Sequence, residues 1–323
     1  MLWSLLRRGE SPFASEELPP RTSEAIQRAF STVTTTTFVT ASSSACQTQK
    51  LLLRLHDGLE VETVLIPQEE FSTVCVSSQV GCRQACSFCA TGTMGLLRRL
   101  TCDEILSQLF EALALTRAKE LPPLRNVVFM GMGEPADNLE AVGRAVEVMT
   151  APFGFNLAKK NICVSTVAPS PSAIRRLRPL NARLAWSVHA ADDELRKLLV
   201  PTTSCPTAEL RDAFVEVLRE RRDRGLMIEV TLISDVNDQP LHAQQLVEFV
   251  APLPGKTRVN LIPYNENAGL GAAGALFRSS RPEAVKAFQR HLLDAGLICT
   301  VRTTRGDGES AACGQLATRS RRQ

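Results

Sequence analysis

Alternation of strand-like and helix-like segments constrains this chain's fold more than any other feature. Short runs rich in Val, Ile, Leu and Thr recur as "STVCVSS", "RNVVFM", "NICVS", "RLAWSV", "MIEVTLI", "RVNLI" and finally "LICTVR". Amphipathic stretches lie between them. In "TCDEILSQLFEALAL", Ile105, Leu109 and Leu113 share a stripe with Leu106 and Phe110, and Thr101 with Glu104 makes a capping box. "NLEAVGRAVEVM" begins at Asn138 as an N-cap and sets Leu139, Val142, Val146 and Met149 on one side. "TAELRDAFVEVLRERR", "PLHAQQLVEFV" and "PEAVKAFQRHLLDAG" repeat the pattern, the last stopped by Gly296. Strand–helix–strand units require parallel pairing with right-handed crossovers. The expectation is an α/β fold, either a full or partial (β/α) barrel or an open doubly wound sheet. Both collect chemistry at the C-terminal ends of the strands.

The N-terminal part reads differently. Residues 1–30 suggest one or two short helices broken at Pro19-Pro20. In "KLLLRLHDGLEVETVLIP", Asp57-Gly58 separates two strand-forming runs, a hairpin signal. The expected organisation is an N-terminal appendage over residues 1–68, a core over 69–316 and a basic tail over 317–323. The 323 residues are 44% hydrophobic but only 5% aromatic, so the core must be aliphatic, as in sheets covered by helices.

Net charge is +3, which gives no sign of a strongly basic nucleic-acid-binding chain. Local clusters (Arg98-Arg99, Lys159-Lys160, Arg175-Arg176-Arg178 and Arg319-Arg321-Arg322) read first as solvated surface. No apolar run approaches the ~20 residues of a membrane span, so no membrane partner is expected. "MLWSLLRRGE" is a poor secretory signal, and the ten cysteines are then expected to stay reduced. The expected compartment is the cytoplasm. "FSTVTTTTFVTASSSACQTQK", rich in Ser and Thr without an acid, leaves a plastid or other organelle open and suits strand or linker equally.

Cys82, Cys86 and Cys89 lie in "VCVSSQVGCRQACSFCATG", just past the first core strand, in C-x3-C-x2-C spacing. Clustered reduced thiols read as metal ligands or catalysts. Structural zinc prefers four ligands in paired C-x2-C elements, and no second pair follows. A cubane iron–sulfur cluster takes one cysteine per iron, so three thiols leave one iron open to a small molecule. Arg83, Gln84 and Ser87 among these cysteines argue against a core site. The spacing after a strand is the signature of the radical S-adenosylmethionine (SAM) enzymes.

Other strand ends carry short polar groups. "FMGMGEP" offers Gly131 and Gly133 for close backbone approach and the Glu134 carboxylate for an ammonium. Ser165, Ser187, His189 and Asn265 follow later strands and suit a ribose or an adenine edge. Singly, each serves equally as a cap, turn or packing residue; their shared location makes them candidates. Cys313 stands in polar, Gly-rich "RTTRGDGESAACGQL", and Cys75 on the first core strand. Cysteines 46, 102, 163, 205 and 299 have no motif and read as structural.

Together "CVSSQVGCRQACSFCATG", "GMGEP", "LAWSVHAADDELRKLLVP", "NLIPYN" and "TRGDGESAACGQL" resemble, in order, the RlmN/Cfr family of radical SAM enzymes that methylate adenine in RNA. The resemblance runs from about Leu2 to Leu316. It implies a partial (β/α)6 barrel with a small helical and β-hairpin appendage. It implies a [4Fe–4S] cluster on Cys82, Cys86 and Cys89, and two SAM molecules per turnover, bound by Gly133, Glu134, Ser165, Ser187, Val188, His189 and Asn265. Cys313 would carry a methyl group whose radical adds to adenine C2, Glu62 would take a proton, and Cys75 would release the product by forming a disulfide with Cys313. The implied partners are ribosomal RNA, transfer RNA as a second substrate, and an electron donor such as flavodoxin or ferredoxin.

Four features depart from the family: a short N-terminal appendage, Val167-Ala168 where Gly is usual, "SSSACQTQK" in place of an Asp-Gly turn, and the insertion "AGLGAAGA". Three alternatives stay open: methylation at adenine C8, a radical SAM activase, and a metal-stabilised RNA-binding protein without catalysis.

Overall fold

The computed structural model describes residues 2–13, 15–29, 34–41, 47–266, 270, 276–302 and 314–318. In chain order its strands are β1 (Thr34–Ala41), β2 (Gln49–Leu55), β3 (Glu60–Pro67), β4 (Ser72–Cys75), β5 (Gln79–Gly81), β6 (Leu96–Arg99), β7 (Leu124–Phe129), β8 (Ile162–Thr166), β9 (Arg183–Ser187), β10 (Leu226–Leu232), β11 (Thr257–Pro263) and β12 (Ile298–Val301). Ten form one sheet in the order β1-β2-β3-β4-β7-β8-β9-β10-β11-β12, while β5 and β6 make a separate pair. From β4 to β12 every neighbouring pair is parallel. The order has two open ends, so the barrel is partial, as the sequence led one to expect. The hairpin around Gly58 (φ +80°) forms β2 and β3. It joins the parallel strands through antiparallel pairing of β3 with β4, so one sheet runs from hairpin to barrel.

The helices are α1 (Leu2–Arg7), α2 (Pro20–Ala29), α3 (Ala90–Thr93), α4 (Cys102–Ala118), α5 (Leu139–Thr150), α6 (Pro171–Arg176), α7 (Asp193–Leu199), α8 (Thr207–Glu220), α9 (Pro240–Val250) and α10 (Pro282–Asp294). Pro20 opens α2, where a missing N–H costs nothing. On α4 both halves of the capping box form: Glu104 N donates to Thr101 Oγ1 (3.2 Å) and Thr101 N to Glu104 Oε2 (2.9 Å). Ile105 and Leu109 are fully buried, each worth about 1.5–3 kcal/mol of burial. Gly296 follows α10 at φ +80° and stops it as expected.

Asn138 precedes α5 but does not cap it with its side chain. Its Nδ2 instead donates to the carbonyls of Ser78 and Leu100, both at 2.8 Å. Both residues are buried where the chain leaves the β5–β6 pair, Leu100 N itself donating to the Ser78 carbonyl (3.2 Å), and tying these two carbonyls together outweighs one helix N–H. Glu134 caps the preceding 3-10 turn instead, accepting from Ala136 N at 2.8 Å. Among the described residues no helix is long and apolar enough to cross a membrane.

Candidate active site

The thiol loop follows β5 and is held from three sides. Asp137 accepts from Arg83 Nε (2.7 Å) and Gln84 Nε2 (2.7 Å). Thr202 Oγ1 donates to Gln84 Oε1 (2.6 Å), and Ser87 N donates to the Leu199 carbonyl (3.0 Å). Within the loop, Gln84 N points at Cys82 Sγ (3.5 Å) and Cys89 N at the Cys86 carbonyl (3.0 Å). Burial pushes the Cys82 and Cys86 thiols up. Their thiolates would therefore need a cationic partner, such as a metal.

One cavity at the strand ends is lined by all three thiols and by Gly133, Glu134, Ser165, Ser187, His189 and Asn265. Gly133 sits at φ +97°, and a Cβ there would lie 2.5 Å from Gln79 Cβ, so the backbone must be glycine for the turn to close. Behind it, Glu134 is almost fully buried. Its Oε1 caps Ala136 N and its Oε2 accepts from Val167 N (2.9 Å), which ties the end of β7 to the end of β8. Burial lifts its carboxyl to about 7, against the pull of these donors. An ionised carboxylate has about four acceptor positions, so a ligand ammonium can still be received.

Ser165 Oγ lies 3.1 Å from Ser187 Oγ and donates to Glu229 Oε2 at 3.1 Å, linking β8, β9 and β10. His189 has a left-handed φ of +60°. Its Nδ1 accepts from Thr231 N (3.2 Å) and its ring meets Phe88 edge-on at 4.7 Å. Burial, with Arg196 nearby, lowers its pKa to about 3, so the ring is neutral. Val188 is not on the cavity wall; its N donates to the Glu229 carbonyl and it is fully buried.

Two residues here were not singled out in the sequence. Glu229 on β10 lines the cavity. Arg196 on α7 is wholly buried and donates to the carbonyls of Ser187, Val188 and Val167, clamping two strand ends.

Glu62 and Cys75 lie off this wall. Cys75 is buried on β4, paired with Val64 and Val128. Glu62 is buried on β3, ion-paired with Lys50 Nζ (3.0 Å), and accepts from Ala317 N (2.9 Å) at Oε2. Burial raises its carboxyl, opposed by Lys50. Cys313, the Arg319–Arg322 tail and most of the "AGLGAAGA" insertion lie outside the described residues. Gly314, the next residue after Cys313, is described: Ala90 N donates to its carbonyl at 2.8 Å, and Thr91 Oγ1 donates to the Leu316 carbonyl at 2.5 Å. The C-terminal segment thus packs on the thiol loop.

The donor set fits an iron–sulfur cubane. Three reduced thiols share one cavity, and among the described residues no three His, Cys, Asp or Glu groups surround a single-ion position. A cubane spreads its thiolates over separate irons and does not need one. The remaining wall, with a buried carboxylate beside the thiols and hydroxyls further along, fits an amino acid joined to a nucleoside.

Comparison with known proteins agrees. The radical SAM superfamily pattern matches residues 76–246. A crystal structure of a radical SAM methyltransferase from Sphaerobacter thermophilus superposes with a TM-score of 0.83 at 38% identity, covering 93% of this chain and 86% of that one. The chain is a radical SAM enzyme, whose cofactors are a [4Fe–4S] cluster and SAM. The dual-specificity RNA methyltransferase RlmN of Geobacter sulfurreducens is 42% identical over 270 residues, 83% of this chain and 71% of that protein. The probable dual-specificity RNA methyltransferase RlmN of Corynebacterium diphtheriae is 44% identical over 281 residues, 85% and 74%. Within the superfamily, this chain belongs to the RlmN family.

Proposed function

We propose that this chain methylates C2 of adenine in RNA, in ribosomal RNA and in transfer RNA, through a methylated Cys313. Adenine C2 is electron-poor and carries no acidic proton, so polar methyl transfer is unpromising and a carbon radical suits it. Cys82, Cys86 and Cys89 would hold the cluster, whose chemistry when bound would be the one-electron cleavage of SAM to a deoxyadenosyl radical. Gly133 and Glu134 receive the SAM amino group; Ser165, Ser187, His189 and Asn265 line the rest of its site, with Val188 contributing backbone only. Cys313 carries a methyl group taken from one SAM; the deoxyadenosyl radical from a second SAM would remove one of its hydrogen atoms, the carbon radical so formed would bond to C2, and the electron left on the adduct would return to the oxidised cluster. Glu62 takes the proton released there, a role its raised carboxyl suits. Cys75 then attacks Cys313 to free the product and leave a disulfide. An electron donor such as flavodoxin or ferredoxin supplies electrons, and the target adenine leaves its stack to enter the cavity.

The observation that carries this reading is the position of the C-terminal segment. Gly314 and Leu316 line the thiol cavity, and Ala317 N reaches the Glu62 carboxylate. The residue following Cys313 therefore lies on the wall that carries Cys82, Cys86 and Cys89, and further along the same segment Ala317 reaches Glu62, which supports the reading. The test is mass spectrometry of nucleosides from RNA incubated anaerobically with reconstituted enzyme, SAM and a reductant. The expected product is 2-methyladenosine, absent with Cys313→Ala. Finding only 8-methyladenosine, no modified adenosine, or full activity of Cys313→Ala would refute it.

A further inference from the structure

Glu229 is a carboxylate in the middle of a strand, 4% exposed, on the wall of the SAM cavity. One oxygen is accounted for: Oε2 accepts from Ser165 Oγ at 3.1 Å. Its other oxygen, Oε1, is buried without a hydrogen-bond partner. Asn260 and Arg302 on its flank moderate the cost of its charge, yet burial still holds the carboxyl above its usual range. An unmatched buried acceptor costs roughly 1–3 kcal/mol, and more when charged, so such groups in native proteins usually await a donor. Asn260 lies opposite Glu229 on β11, and the cavity is the open side from which a further donor can reach Oε1.

The neighbourhood narrows its chemistry. Ser187 Oγ, Ser165 Oγ and Glu229 form a polar chain across three adjacent strands, β9, β8 and β10 in turn. Two hydroxyls beside a carboxylate match a vicinal diol, in which each OH both donates and accepts. A carboxylate reading a ribose diol is also how open α/β folds hold dinucleotides. Glu134, the ammonium acceptor, lies at the end of β7 beside the thiols, three strands from β10. The two carboxylates therefore suit opposite parts of one ligand. We propose that Glu229 accepts a hydrogen bond from a ribose hydroxyl of bound SAM through Oε1. This rests on the reading that the cavity binds SAM.

The test is anaerobic calorimetric binding of SAM and of its 2′-deoxy and 3′-deoxy analogues to the holoenzyme, in wild type, Glu229→Leu and Glu229→Gln. Wild type is expected to bind at least one deoxy analogue about 10- to 100-fold more weakly than SAM, the range for a hydrogen bond to a charged group. Glu229→Leu should bind SAM as weakly as that analogue and discriminate between them no further; Glu229→Gln, a neutral acceptor, should fall between. Wild-type affinities equal within about twofold for SAM and both analogues overturn the proposal, whatever the variants do. So does discrimination that persists undiminished in Glu229→Leu, the result expected if Glu229 meets the adenine amine instead. Both failures leave SAM binding intact. A wild type that binds none of the three removes the SAM site itself, and this proposal with it.

Discussion

The two mouths of the sheet are built on opposite electrostatic plans. At the C-terminal mouth, Glu134, His189, Arg196 and Glu229 are all nearly or wholly buried, with Cys82 buried and Cys86 half-buried beside them. At the other, Lys160, Arg183, Arg224, Lys256 and Arg258 ring an open depression and stay in water. Charge in water costs little, whereas burying it costs several kcal/mol per ion unless something compensates. At the first mouth, hydrogen bonds from the clamped strand ends offset part of that cost. The second needs no such offset. Charge density alone therefore misleads: the functional end is the one whose ionisable groups are hidden.

Breaking the comparison at its strongest point means removing a thiol. Cys82→Ala and Cys86→Ala should abolish methylation and lower bound iron and sulfide, read by nucleoside mass spectrometry and metal analysis. Next, Glu134→Gln should weaken SAM about 10- to 100-fold in calorimetry, because a neutral amide cannot match the charge of the ammonium and must also break with Ala136 N or Val167 N.

The third effect is pH-dependent and has two signs. With the Glu134 carboxyl lifted to about 7, most free enzyme at pH 6 carries the proton that SAM must displace. SAM should bind roughly tenfold more weakly at pH 6 than at pH 8, with proton release at the lower pH, measured in buffers of different ionisation enthalpy. Stability of the free protein runs the other way. A carboxyl raised from 4.5 to about 7 contributes stability that is full below 4.5 and lost as pH rises through 7, so unfolding midpoints should fall over that window.

A smaller effect is expected of Gly133→Ala, which places a Cβ 2.5 Å from Gln79 Cβ at φ +97° and should cost about 1–3 kcal/mol in denaturant unfolding. Smallest of all, Arg224→Ala and Lys256→Ala at the basic mouth should stay within about 0.5 kcal/mol and leave SAM affinity unchanged. A large loss there would collapse the contrast.

Much of this was legible in the chain. The strand runs, the Thr101 capping box, the Asp57-Gly58 turn and the Gly296 stop are local signals, and the structure keeps them because local and global preferences agree. The cavity residues at strand ends were legible because a parallel sheet dictates where loops converge. Glu229 was not, since "MIEVTLI" is a buried strand whose polar member can face either side until the neighbouring strands are known. Arg196 sits in "DELRKLL", which reads as a solvated helix; its burial depends on carbonyls from two other strand ends. Asn138 failed as a cap for the same reason, because its partners, Ser78 and Leu100, are remote in sequence. The Arg175 and Arg178 pair behaved as the charge pattern suggested, exposed and matched with Glu216 and Glu220.

The contact of Thr91 with Leu316 spans 225 residues, and that of Glu62 with Ala317 spans 255. A ribosome finishes these late residues long after the thiols have emerged. While translation continues, the three thiols are present but the stretch that seals against their loop is not. Assembly order is thus written into the covalent connectivity: a metal can reach the thiols before closure, whereas the sealed cavity waits until Leu316 and Ala317 have been added.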